Sequence, residues 1–270
     1  MRKSVIAGLA TGVMLVGIAG APALAAEPGQ AELSVLHGVP ATTVDVYVNG
    51  ALTLDDFAPG TLTDPIALPP GDYTVALTAP DAADDSAPII PAVTVTLAAD
   101  MSYTAVAHLD AGGAPMLSLF TNDTSATASG EGRLTVRHVA AAPAVDILAD
   151  GAAAFTNLEN PNEVMADLPV ATYSAAVALT GTTDPVIGPA DVPITEGVNT
   201  IVYAWGSAAD ANLALAVQTV DTDMGAPSGV SAGTAPVPMN NAAPIALIVV
   251  AALALAGAGL ATRAAVTSRR

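Results

Sequence analysis

The sequence predicts an all-β chain of two tandem antiparallel β-sandwich domains. Three observations predict it: an internal repeat, strand-like alternation inside each copy, and turn dipeptides between the strands. Leu33 to Gly50 lies on Leu134 to Gly151 without a gap at an offset of 101, with seven of eighteen positions identical. Leu68-Pro69 and Tyr73 match Leu168-Pro169 and Tyr173 at an offset of 100, and Val93 and Val95 are aligned with Val192 and Ile194. A period of about 100 residues is that of a whole sandwich domain and far longer than a solenoid unit.

Within the first copy Leu33, Val35 and His37 point one way, and Ser34 and Leu36 the other. Val44, Val46 and Val48 alternate with Asp45 and Tyr47. The runs starting at Tyr73, Val93 and Tyr103 are strand-like by period two and by β-branched content. Asn49-Gly50 and Asp150-Gly151 are hairpin dipeptides suited to the positive φ angles of a type I′ turn. Pro69-Pro70-Gly71-Asp72 suits a type II turn with Gly71 left-handed, whereas Pro169-Val170-Ala171-Thr172 lacks the glycine and must turn differently.

These signals divide the chain. Residues 26–121 form the first sandwich, 122–132 a flexible linker, 133–221 the second sandwich, and 222–241 a stalk rich in Pro, Ser, Gly and Ala. The two sandwiches are expected to fold independently. Residues 1–25 read as a cleaved signal peptide, with Arg2 and Lys3 ahead of an apolar run and Ala23-Leu24-Ala25 at its exit. Residues 242–262 carry no charge and are long enough to cross a hydrocarbon core of about 30 Å as a helix. The basic tail 263–270, with Arg263, Arg269 and Arg270, places that end in the cytoplasm and the domains outside the cell. The tail resembles a sortase sorting signal, but L-P-x-T-G is absent, so the helix is expected to be retained.

Charge narrows the function. The 270-residue chain has a net charge of −18, and Arg133 and Arg137 are the only basic residues between the two ends. All 25 acidic residues lie there too, giving that part a net charge of −23. Such a surface excludes nucleic-acid binding by phosphate neutralisation and repels anionic lipid. The absence of cysteine excludes thiolate zinc sites, cysteine nucleophiles and disulfides.

The opening V-x-H-x-x-P-x-x-x-x-V-D-V-Y-V-N-G of the first copy, followed by L-P-x-G-x-Y-x-V, resembles the bacterial domain-of-unknown-function family DUF4397. The resemblance covers both copies and is weaker in the second, which loses the proline, the Tyr-Val-Asn run and the turn glycine. It implies an exported immunoglobulin-like or prealbumin-like sandwich, often repeated in tandem. It brings no catalytic residues.

Candidate sites are few. His37 and His138 are equivalent and each ends a strand on its apolar face. A ring packed under the following loop and bonded to a backbone group is favoured over a ligand role, because no second histidine is placed beside either. Asp45 and Asp146 follow eight residues later and face outward by alternation, suited to bonding a neighbouring loop or to a surface cation site. Asp81, Asp84 and Asp85 offer oxygens for calcium, but their order is not that of an EF-hand, and the matching loop has only Asp184. Asp55-Asp56 offers paired carboxylates, yet 3% aromatic content disfavours a sugar cleft. No nucleophile elbow, zincin motif or phosphate loop is present. The sequence therefore points to a non-catalytic, membrane-anchored surface protein contacting an envelope or extracellular protein partner, with no cofactor. The alternative is a cation-dependent ligand-binding or sensory ectodomain, with calcium as its cation.

Overall fold

The computed structural model describes residues 29–222, and it builds each repeat from eight strands. The signal segment, the apolar segment 242–262, the basic tail and the stalk beyond Thr222 lie outside the described residues. Among the described residues no helix is long and apolar enough to cross a membrane.

The first copy contains β1 (Ala31–His37), β2 (Val44–Val48), β3 (Ala51–Phe57), β4 (Ile66–Leu68), β5 (Gly71–Thr78), β6 (Ile90–Leu97), β7 (Ser102–Leu109) and β8 (Pro115–Asn122). The second contains β9 (Glu131–Ala141), β10 (Val145–Ala149), β11 (Ala152–Leu158), β12 (Glu163–Pro169), β13 (Ala171–Leu179), β14 (Pro185–Ile194), β15 (Val198–Ser207) and β16 (Ala214–Asp221). Each copy folds as two four-stranded sheets, ordered β4-β1-β7-β8 and β3-β2-β5-β6, then β12-β9-β15-β16 and β11-β10-β13-β14. The all-β sandwich reading holds, with one correction. The sheets are not wholly antiparallel, because β1 runs parallel to β7 and β9 parallel to β15. The chain crosses the other sheet between those two strands, so no hairpin dictates their direction.

Turn chemistry explains the hairpins. Asn49 and Gly50 have φ of 51° and 77°, and Asp150 and Gly151 have 49° and 81°, the paired positive angles of a type I′ turn. Gly71 departs from expectation: its φ of 154° is far from the value of about 80° that a type II turn requires. The Leu-Pro signature has another physical basis. The Tyr73 hydroxyl donates to the Pro69 carbonyl at 2.7 Å, and Tyr173 repeats this on Pro169 at 3.1 Å.

Strand register also corrects the repeat alignment. Tyr73 faces Val95 and Tyr173 faces Val192, so Val95 corresponds to Val192 and Leu97 to Ile194. All four are buried. The second copy is three residues shorter between the tyrosine and this strand, and the loss lies in the loop before the strand, where alternation carries no information.

Each sandwich has its own core. Leu33, Val46, Leu77, Val95 and Ala105 represent the first, and Leu134, Ile147, Val177, Val192 and Val202 the second. A third cluster joins them: Leu36, Val106 and Phe120 from the first copy meet Val139, Ile201 and Tyr203 from the second. The outer face of β1-β7-β8 thus packs on the outer face of β9-β15-β16. This is why every residue of β7 is buried: Tyr103, Ala105 and Ala107 enter the sandwich, while Thr104 and Val106 face the other copy.

The connection 123–130 is tied down rather than free. Arg133 is bound to Asp123 at 2.9 Å and to the Ser125 carbonyl at 3.0 Å, and on its other side to Asp167. The two copies thus share a buried seam, in place of the independent halves expected from the composition of the linker.

Gly132 shows how tightly the second copy closes. A Cβ there would collide with the Thr195 carbonyl oxygen and lie 2.9 Å from Ile194 Cγ2. The first copy holds Ala31 at the equivalent place, fully buried. Gly132→Ala is expected to cost about 2 kcal/mol through overpacking, lowering Tm by about 4–8 °C for a domain pair of this size. A thermal melt matching wild type would show that the Thr195 turn yields freely.

Candidate functional site

The histidines and aspartates that the repeat singles out each hold a loop. His37 is buried, its Nε2 donates to the Thr42 carbonyl at 2.7 Å, and its ring stacks on Phe57. His138 Nε2 donates to the Pro143 carbonyl at 3.1 Å, across the same five-residue span. Burial lowers the pKa of both rings, partly offset by these backbone acceptors. The structure brings neither ring into a group of metal-ligating side chains among the described residues.

Asp45 and Asp146 do lie on the strand face opposite the core, but they are not exposed. Their exposures are 1% and 5%. The reason is a bulge in the neighbouring strand. Asp56 and Asn157 take φ of 51° and 57°, turning their N–H groups onto Asp45 Oδ1 at 2.9 Å and Asp146 Oδ1 at 2.8 Å. Asp146 also accepts from Gly181 N at 2.9 Å, and these two backbone donors hold its pKa below the usual carboxylate value. In the first copy the strand register places Asp81 where Gly181 stands, and both take positive φ, 59° and 81°.

The charge differs between the copies here. Asp45, Asp55 and Asp56 bring carboxylate oxygens within 4.8 Å of one another. The corresponding second-copy residues are Asp146, Thr156 and Asn157. Burial raises the Asp55 pKa, and the charges of Asp45, Asp56 and Asp81 raise it further. The loop carrying Asp81, Asp84 and Asp85 folds beside Tyr47, whose hydroxyl donates to Ala82 O at 2.8 Å. Desolvation raises the Tyr47 pKa, and Asp45, Asp84, Asp85 and Asp55 add to it. Asp84 is instead turned back on its own loop by Ser86, which lowers its pKa. Of the three calcium candidates, Asp81 therefore lies in the field of the carboxylate cluster, while Asp84 and Asp85 surround Tyr47. Three converging oxygens are hard donors of the kind calcium takes, although calcium requires six to eight.

The seam contains functional residues that sequence reasoning missed. Arg137 is 1% exposed. Its Nε donates to Glu163 at 2.7 Å, its Nη1 to Asn122 Oδ1 at 3.0 Å and to the Tyr203 hydroxyl at 2.8 Å, and its Nη2 to the Thr121 carbonyl. The guanidinium lies 4.5 Å from the Phe120 ring centroid. The Tyr203 hydroxyl passes on to Gln218, which also bonds Thr104 of the first copy. At the far end, Asn160 Nδ2 donates to both Leu109 O and Ala140 O, and Trp205 sits against Gly38 and Gly60. The signal was present: the two cations between the ends of the chain fall on one strand, β9.

Fold and staples together define a tandem β-sandwich protein in which one eight-stranded unit occurs twice and its repeated polar residues hold loops. Residues 31–148 match the model of the family described as Domain of unknown function (DUF4397). The match spans the first sandwich and runs into β10 of the second, ending at Leu148, just before the hairpin where the copies diverge in composition. No curated protein matches the chain.

Proposed function

We propose that this is a membrane-anchored cell-surface protein that presents its paired sandwiches, as one rigid block, to an envelope or extracellular protein partner, without catalysis. The observation that carries the reading is the seam. Joining two sandwiches through a buried Arg137 network fixes their relative orientation, which a display module needs and a pair of loosely tethered domains lacks. The net charge of −23 between the ends of the chain keeps that block soluble and steers it toward basic partners. For the sandwich itself we favour the prealbumin-like over the immunoglobulin-like form. Each unit has two sheets of four strands with a parallel β1–β7 type pairing, against the seven strands of a constant-type immunoglobulin domain.

The test is protease shaving of intact cells that express the full chain, beside a chain lacking residues 242–262. The full chain should be cleaved at the surface and remain cell-associated, and the shortened one should appear in the medium. A full chain protected from protease, or a shortened one still on the membrane, would refute the surface assignment. Scanning calorimetry of the full chain with calcium and with chelator decides the cation-dependent alternative, since a ligand of the folded state raises Tm. No calcium response leaves Asp55 and Asp56 as a solvated acidic edge beside the buried Asp45.

A further inference from the structure

We propose that the second sandwich carries a binding site for an uncharged hydrocarbon group, of the size of a single ring or a short alkyl chain. The site is a cavity of about 240 Å³ between its two sheets, on the side where the edge strands β11 and β12 stand. Phe155, Leu168 and Val192 line it, with Ala149 and Ala175. Tyr173 reaches it too, but its hydroxyl is engaged by Pro169. The walls are therefore almost wholly apolar. An engineered cavity of about 150 Å³ with such walls stays dry and takes up benzene; this one is larger.

Comparing the copies shows how the space arises. Ala149 and Ala175 are cross-strand partners on β10 and β13, and the same pair in the first copy is Val48 and Val75. Two valines facing each other on adjacent strands have both become alanine, so the lost methyl groups open a single space. The neighbouring Leu54 has become Phe155, whose ring borders the cavity without filling it. Empty apolar space of this size is unfavourable, because the lining atoms lose contacts on one side. A bound hydrocarbon restores them.

The electrostatics select against a charged ligand. Neither Arg133 nor Arg137 lines the cavity, and both are already committed to Asp123, Asp167 and Glu163. A carboxylate or phosphate headgroup would meet no free positive charge there and an acidic surface around it.

The experiment is photolabelling of the full chain, reconstituted in lipid, with a neutral alkyl diazirine, followed by peptide mapping. Label is expected in the segments 147–155 and 166–175. It should fall at least fivefold in the double variant Ala149→Val/Ala175→Val, which restores the first-copy pair and should melt no lower than wild type. A diazirine bearing a carboxylate should label these segments at least tenfold less than the neutral probe. Absence of label in the wild type, or equal label in the folded double variant, would show the cavity to be a packing gap. Equal labelling by the anionic probe would overturn the choice of an uncharged ligand.

Discussion

Arg137→Ala is expected to destabilise the paired sandwiches by about 3 kcal/mol, at the low end for breaking a buried ion pair. The low end applies because Glu163 keeps 27% side-chain exposure and can recover water once the guanidinium is gone. Asn122, Tyr203 and the Thr121 carbonyl cannot all do so, since Asn122 and Tyr203 are buried within the seam. A loss of 3 kcal/mol corresponds to a Tm lower by about 6–12 °C for a protein of 150–250 residues. Wild type should unfold in one calorimetric transition, and the variant should broaden or split it, because the seam is what couples the copies. Arg137→Met combined with Glu163→Leu should recover a large part of the loss, since apolar replacement of both partners leaves no stranded charge. A change below 1 kcal/mol in Arg137→Ala would mean that Leu36, Val106 and Phe120 hold the copies together without the polar network.

The seam also marks where sequence reading stopped. Alternation identifies which residues of β1 leave the core, and Ser34 and Leu36 were assigned correctly to the face away from Leu33 and Val35. It does not say whether that second face meets water or another sheet. Leu36 and Val106 are apolar on that face, but single apolar residues on a surface are common. Asp45 was assigned to the outward face for the same reason and proved buried, because the bulge at Asp56 folds the next strand over it. The repeat was more informative than the pattern: it picked out His37 with His138 and Asp45 with Asp146, and each pair makes the same hydrogen bond in both copies. The carboxylate cluster was legible only in part. Asp55 and Asp56 are adjacent in sequence, but their approach to Asp45 depends on the positive φ of Asp56, which an aspartate adopts without announcing it. The cavity in the second sandwich was invisible, since alanine is compatible with a strand interior and only the register shows that Ala149 and Ala175 face each other.

The second large effect is loss of stability in mild acid. Burial lowers the pKa of His37, His108 and His138 below 6.5, and the backbone carbonyls that accept from these rings offset it only in part. His37 Nε2 donates to Thr42, which leaves Nδ1 buried with no partner, so a second proton there would be an unpaired buried cation. His108 Nδ1 donates to the Leu109 carbonyl while Nε2 accepts from the Ser118 hydroxyl, and the nearby His138 further opposes a positive charge. Because the folded pKa values are depressed, the unfolded chain binds more protons as pH falls below about 6.5. Stability is therefore full above that value and is lost as pH falls from it through the folded pKa values. The slope is at most about 1.4 kcal/mol per pH unit for each histidine. Asp123 and Asp146, whose pKa values are also lowered, add their losses only below the normal carboxylate range, whereas Asp55 and Glu32 are raised and take up protons above it, opposing the histidine loss. Comparison with a histidine variant therefore separates the histidine share in the window from about pH 6.5 to 5. Urea unfolding across it should show a falling midpoint in the wild type and a shallower fall in His37→Gln, whose amide can still donate to Thr42. A midpoint constant from pH 7 to 5 would mean that the buried rings find proton acceptors as good as water.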